Sequence, residues 1–258
     1  MNPGGPILPA LTDQMAELAA ILTPLDADGW AAPSRCPGWS VSDVVLHLAQ
    51  TNEMAIGSLQ GRMAEVVAAL AEGAPATADV DEGAAVMVER ERGASGPEVQ
   101  ARWQAGVDEL LAGLAAADPA ARVTWVAGEL SVPTLATTRL AETWIHTGDV
   151  TWAFGQDPAA TDRLWHIARL AWRTLPYAFL RAGRPAPGPV TFRLRSPGGD
   201  TWVFESDDPP EDADPTTVEG DALDLCQVAG QRAAAAETTL SAKGPDAEGV
   251  LELVRTFA

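Results

Sequence analysis

A chain of 258 residues that is 47% hydrophobic holds enough apolar material for one large domain or two modest ones, which argues against a disordered chain. Its formal charge of −19 excludes nucleic acid and anionic membrane surfaces as partners, because both are recognised through basic patches. The two cysteines, Cys36 and Cys226, stand far apart with no CxxC, so a disulfide framework is excluded and a reducing cytoplasm fits.

Residues 8–24, LPALTDQMAELAAILTP, carry apolar positions at helical spacing and predict a first helix that stops before Pro24. The segment through Asp26, Asp28 and Pro33 reads as a loop. In CPGWSVSDVVLHLAQTNEMAIGSL, Pro37-Gly38 makes a turn, and Ser40 with Asp43 three residues on forms a capping box in which Asp replaces Glu. A long helix from Ser40 into the 60s is expected, with His47 two turns inside it. The polar stretch 73–95 bridges helices, with a short helix at its end. Residues 96–117 predict a third long helix striped by Trp103, Val107, Leu110, Leu111 and Leu114. A fourth, capped near Ser131 with Pro133 in its first turn, ends at Gly155.

Residues 162–182 predict a fifth helix, disturbed at Pro176, and GRPAPGP then marks a boundary. VTFRLRS and TWVFES read as alternating strands joined by PGGD, with Val190, Phe192 and Leu194 on one face and Arg193 and Arg195 on the other. A strand at TTVEG, a helix from Asp221 to about Arg232, a strand at TTLSAKG and a helix from Pro245 to Phe257 complete the chain. The expected architecture is mainly α. A helical bundle with an added helix occupies 1–185 and a small α+β domain 186–258. The opening residues lack the features of a signal peptide, and no run reaches the roughly 18 apolar residues of a membrane span. A cytoplasmic protein with no membrane partner is expected.

Glu142 and His146 in LAETWIHTGDV lie four residues apart, so one helix face carries both. With His47 on another bundle helix they form two imidazoles and a carboxylate. Catalytic zinc takes three protein ligands of this kind and leaves a position open, and the set also suits ferrous iron. Asp149, three residues beyond His146, is placed to orient a liganding imidazole. The competing reading is plain: Glu-xxx-His pairs are commonly ion pairs, and His47 between Leu46 and Leu48 reads equally as a core histidine. His166 reads as a helix-packing residue, Trp39 as a buttress of the turn that aims His47, and Cys36 as an ordinary thiol. The acidic runs DADGW, DVDE and SDDPPEDADP are solvated loops, since none has EF-hand spacing.

PGWSVSDVVLHLA at 37–49, ETWIHTGDV at 142–150 and the order of elements resemble the mycothiol-dependent maleylpyruvate isomerase family of the DinB-like superfamily. TDRLWHIARL and GDTWVF are similar to an actinobacterial subgroup without established activity. The resemblance implies a DinB-like four-helix bundle followed by a sterol-carrier-like α+β domain. It implies His47, Glu142 and His146 as ligands of a divalent metal, zinc first, and Arg232 in VAGQR as the catalytic arginine, although Gln231 interrupts the expected Gly-Arg pair. The function it implies is S-transfer to, or cis–trans isomerisation of, a small electrophilic substrate. Mycothiol is the thiol cosubstrate and the protein a monomer or homodimer. Two alternatives remain: a metal-dependent hydrolase of an amide or thiol conjugate, and a non-catalytic lipid-binding protein.

Overall fold

The computed structural model describes residues 3–73, 77, 80–126, 128–206 and 214–256. The chain divides into two compact units, Ile7–Pro158 and Met1–Pro6 with Ala159–Ala258.

The first unit is a four-helix bundle of α1 (Ile7–Leu22), α3 (Val41–Leu59), α6 (Gly96–Ala116) and α7 (Val132–Trp152). Helix α3 packs on α6 and α7, and α1 packs on the same two, which closes the square. The apolar spacing explains the packing. Leu11, Met15, Leu18 and Leu22 of α1 recur at intervals of four, three and four, and all are fully buried. Val99, Trp103, Val107, Leu110 and Leu114 do the same on α6. The expected box caps α3: Ser40 Oγ accepts from the Asp43 N–H, and Asp43 Oδ2 accepts from the Ser40 N–H at 2.8 Å. Ser131 caps α7, with a proline in the first turn.

Helix α3 stops short of the 60s. The N–H of Gly61 bonds the carbonyl of Ser58 and that of Arg62 the carbonyl of Gly57, while Gly61 takes φ +69°. This closing turn requires a left-handed residue, which glycine supplies without strain. The chain restarts as α4 (Met63–Leu70), and α5 (Val80–Glu91) fills the polar bridge. Two further elements depart from expectation. Asp26 Oδ1 accepts from the Gly29 N–H and caps a five-residue helix, α2 (Ala27–Ala31), inside the supposed loop. An antiparallel hairpin, β1 (Arg122–Trp125) and β2 (Gly128–Ser131), precedes α7.

The second unit contains α8 (Leu164–Arg181), which runs through Pro176. It also contains β3 (Val190–Arg195), β4 (Thr201–Phe204), β5 (Thr216–Asp221), α9 (Ala222–Ala229), β6 (Ser241–Lys243) and α10 (Ala247–Leu253). The sheet order is β4-β3-β5-β6, with β3 parallel to β5 and the outer pairs antiparallel. Val190, Phe192 and Leu194 face the core and Arg193 and Arg195 face outward, as the alternation requires. Arg195 forks onto the Asp221 carboxylate, its register partner on β5.

The division between units falls after Pro158, earlier than the expected 185/186. Helix α8 belongs with the sheet because its apolar face packs on α9, α10 and β4, with Trp165 against Phe204 at 5.6 Å. His166 is buried there with Nε2 3.1 Å from the Gly4 carbonyl, a packing role. The last helix, α10, stops at Leu253, short of the expected Phe257, because Val254 takes φ −59° and ψ 124° and leaves the helical region; most of the acidic run SDDPPEDADP lies outside the described residues. Among the described residues no helix is long and apolar enough to cross a membrane.

Candidate metal centre

Helix α7 is buried on nearly every side, polar residues included. Its buried threonines are satisfied locally: Thr138, Thr143, Thr147 and Thr151 each return the hydroxyl to a carbonyl three or four residues back. Arg139, Glu142, His146 and Asp149 remain, at spacings of three, four and three. That spacing makes one stripe. It faces α3, whose His47 and Thr51 are one turn apart and meet Glu142 and Arg139.

His47 Nε2 lies 2.8 Å from Glu142 Oε1, and His146 Nε2 lies 3.5 Å from the same oxygen. The two imidazoles meet edge to face with centroids 5.0 Å apart. All three side chains are buried. The sequence-derived trio is thus brought to one point, with two ring nitrogens and a carboxylate oxygen converging. Trp39, half-buried, sets its ring 5.3 Å from that of His47 and limits how the imidazole can turn. Asp149 Oδ2 lies 2.8 Å from His146 Nδ1, so that nitrogen carries the hydrogen and Nε2 is turned toward Glu142.

The charges follow from these contacts. Burial raises the Glu142 pKa, but hydrogen bonds to His146 and His47 outweigh it and hold the carboxyl well below its ordinary value. Burial lowers the His146 pKa, but Asp149, Cys36 and Glu142 together lift it well above the usual imidazole range. At His47 burial wins over the Glu142 hydrogen bond, and the pKa falls. Glu142 is therefore anionic and His47 neutral. The donor set fits a divalent metal: a charged oxygen, a neutral imidazole, and an imidazole whose other nitrogen is already committed to a carboxylate.

Three residues beyond the expected trio belong to this region. Arg139 is fully buried, donates to Thr51 Oγ1 at 2.9 Å, and lies over the Trp125 ring at 5.9 Å. Burial outweighs the Glu142 charge and lowers its pKa; because a guanidinium starts from so high a value and is not deprotonated in proteins, its charge still lies one turn from the ligands. Its place three residues before Glu142 is readable in sequence. Cys36 is the second: Sγ lies 3.2 Å from Asp149 Oδ2 and 4.0 Å from His146 Nδ1. No sequence signal joins positions 113 residues apart. Trp125, on a four-residue strand, is the third.

The expected catalytic arginine is Arg232. It lies in the other unit, just past α9, where its guanidinium donates to the Gly230 carbonyl at 2.9 Å. Gln231 takes φ +60°, and the Arg232 N–H bonds the carbonyl of Gln227. Gln231 thus fills the left-handed closing position of α9, where glycine is the usual residue.

The family described as mycothiol maleylpyruvate isomerase N-terminal domain matches residues 11–151, which include every member of the trio. An uncharacterized protein of Mycobacterium tuberculosis, found in two strains, is 32% identical over 257 residues, covering 98% of this chain and 96% of the relative. Two crystal structures of mycothiol-dependent maleylpyruvate isomerase, one of them a mutant, superpose with a TM-score of 0.58. They cover 93% of this chain and 94% of theirs at 14% and 16% identity, a likeness of fold.

Proposed function

The chain belongs to the mycothiol maleylpyruvate isomerase family, and from that premise we propose a metal-dependent enzyme that uses a low-molecular-weight thiol. The thiol, mycothiol by family, transfers to a small electrophilic substrate or isomerises it. The observation that carries the reading is the convergence of His47 Nε2, Glu142 Oε1 and His146 Nε2 on one buried point, with Asp149 fixing His146 from behind.

His47, Glu142 and His146 would hold a divalent metal, zinc by donor type, which when bound would supply the positive charge that lowers the pKa of a coordinating thiol. The residues do the rest. Glu142 contributes one negative charge, so the two neutral imidazoles leave a net positive site. Asp149 holds the His146 Nδ1 hydrogen and keeps Nε2 forward. Arg139, a buried guanidinium three residues before Glu142, adds a second positive charge one turn away, which favours an anionic thiolate over a thiol. The thiolate adds to an unsaturated carbon and forms a C–S bond. Loss of the same bond after rotation isomerises the substrate, whereas protonation of the adjacent carbon leaves a conjugate.

Arg232 is proposed, on family resemblance, to bind a substrate carboxylate through its planar fork. Arg232→Ala should raise KM for a carboxylate substrate more than it lowers kcat, and unchanged kinetics would remove the assignment. A cytoplasmic setting, where thiols stay reduced, suits the reaction.

The test is an assay of the zinc-loaded protein with unsaturated electrophiles, with and without added thiol. Turnover that requires the thiol supports the proposal. Turnover with water alone would replace it with metal-assisted hydrolysis.

A further inference from the structure

Asp149 is fully buried, and the proposed function uses only one of its contacts. Its Oδ2 lies 2.8 Å from His146 Nδ1 and 3.2 Å from Cys36 Sγ. A single carboxylate oxygen thus accepts two hydrogens, one from the imidazole and one from the thiol. An ionised carboxylate has lone pairs for both, and a buried one is costly to leave underfilled.

The loop that carries Cys36 is fastened at each side. The Cys36 N–H donates to Ser34 Oγ at 3.2 Å, and that hydroxyl donates to the Trp39 carbonyl at 2.8 Å. The Arg35 N–H donates to the backbone carbonyl of Asp149 at 3.1 Å. Residues 35 and 36 therefore hold Asp149 by its main chain and its side chain together. The same loop ends in Trp39, whose ring lies against His47, and in the Ser40 cap of α3. One short segment touches the helix of each histidine.

We propose that Cys36 is a positioning residue for His146, acting through Asp149: its S–H fixes the carboxylate oxygen that fixes the imidazole. The inference rests on the metal reading above and deepens it. A rotated Asp149 would free the His146 ring to turn, and the direction of Nε2 would be lost. Outer partners of liganding histidines are worth about 10–100-fold in metal affinity, and a donor one step further out should sit at the low end.

The test is a cobalt(II) titration of metal-free protein, wild type beside Cys36→Ala, Cys36→Ser, Asp149→Asn and His146→Ala, with melting temperatures of the metal-free forms. Cys36→Ala should bind cobalt about tenfold more weakly. Cys36→Ser, which keeps an O–H donor, should return most of that loss, and Asp149→Asn should lose at least as much as Cys36→Ala. Three results would overturn the proposal: equal affinity for Cys36→Ala and wild type, no rescue by serine, or a thiolate-to-cobalt absorption band that makes Cys36 a ligand. If His146→Ala abolishes binding while Cys36→Ala leaves it unchanged, this inference alone falls. If wild-type protein takes no cobalt, or His146→Ala binds as well as wild type, the metal reading falls and this one with it.

Discussion

Helices α6 and α7 are both 21 residues long and belong to the same bundle, yet one buries six residues and the other sixteen. The six of α6 form the single stripe that a bundle helix needs, and none of them is charged. On α7 the burial extends around the helix and takes in an arginine, a glutamate, a histidine and an aspartate. Burying such groups costs several kcal/mol unless each is paired. Once the self-satisfied threonines are set aside, the charged stripe of α7 has no packing rationale. The contrast separates scaffold from site.

That separation can be broken by mutation. Trp103→Ala, on the α6 stripe, should cost about 3–5 kcal/mol of stability, read as a fall in denaturant midpoint. Metal affinity of the protein that remains folded should be unchanged. A large loss of affinity would mean that scaffold and site are coupled.

On the other side, His146→Ala should lower metal affinity by more than the ~10–100-fold that outer partners command. Isothermal titration of metal-free protein reads the affinity directly. Full retention of metal would disprove the ligand set.

Metal loading should also depend on pH in a stated direction. In the metal-free protein the His146 pKa is raised, so His146 holds a proton where an ordinary imidazole has lost it. Binding must displace that proton. Apparent affinity should therefore rise with pH up to the elevated pKa and fall below it by about tenfold per unit for one proton. Glu142, with its lowered pKa, competes only in strong acid. Affinity flat across this range would show that His146 carries no displaceable proton.

The smallest effect is expected at the end of α3. Ser40→Ala removes a cap worth about 1 kcal/mol, seen as a modest drop in melting temperature. Because α3 carries His47, a small loss of metal affinity should accompany it.

How much of this was legible in the sequence depended on distance along the chain. The capping box at Ser40 and Asp43, the stripes of α1 and α6 and the alternation of β3 are local patterns, and each appears where its spacing places it. The pairing of Glu142 with His146 is local too. His47 joined them only through family resemblance, since nothing in periodicity says which helices meet. Helix α2 escaped notice because five residues are too few to show a period, although Asp26 is a cap residue. Strands β1 and β2, four residues each and largely exposed, show no clear alternation. The role of α8 depended on which unit its apolar face covers, a tertiary fact. Cys36 carries no readable signal because its partner, Asp149, lies 113 residues away along the chain.

The most direct measurement is the metal content of the protein purified without added metal or chelator, by elemental mass spectrometry. The account predicts about one zinc or other divalent transition metal per chain, lost in His146→Ala. Metal-free protein that takes up none on titration would contradict it and leave His47, Glu142 and His146 as a buried ion-pair cluster.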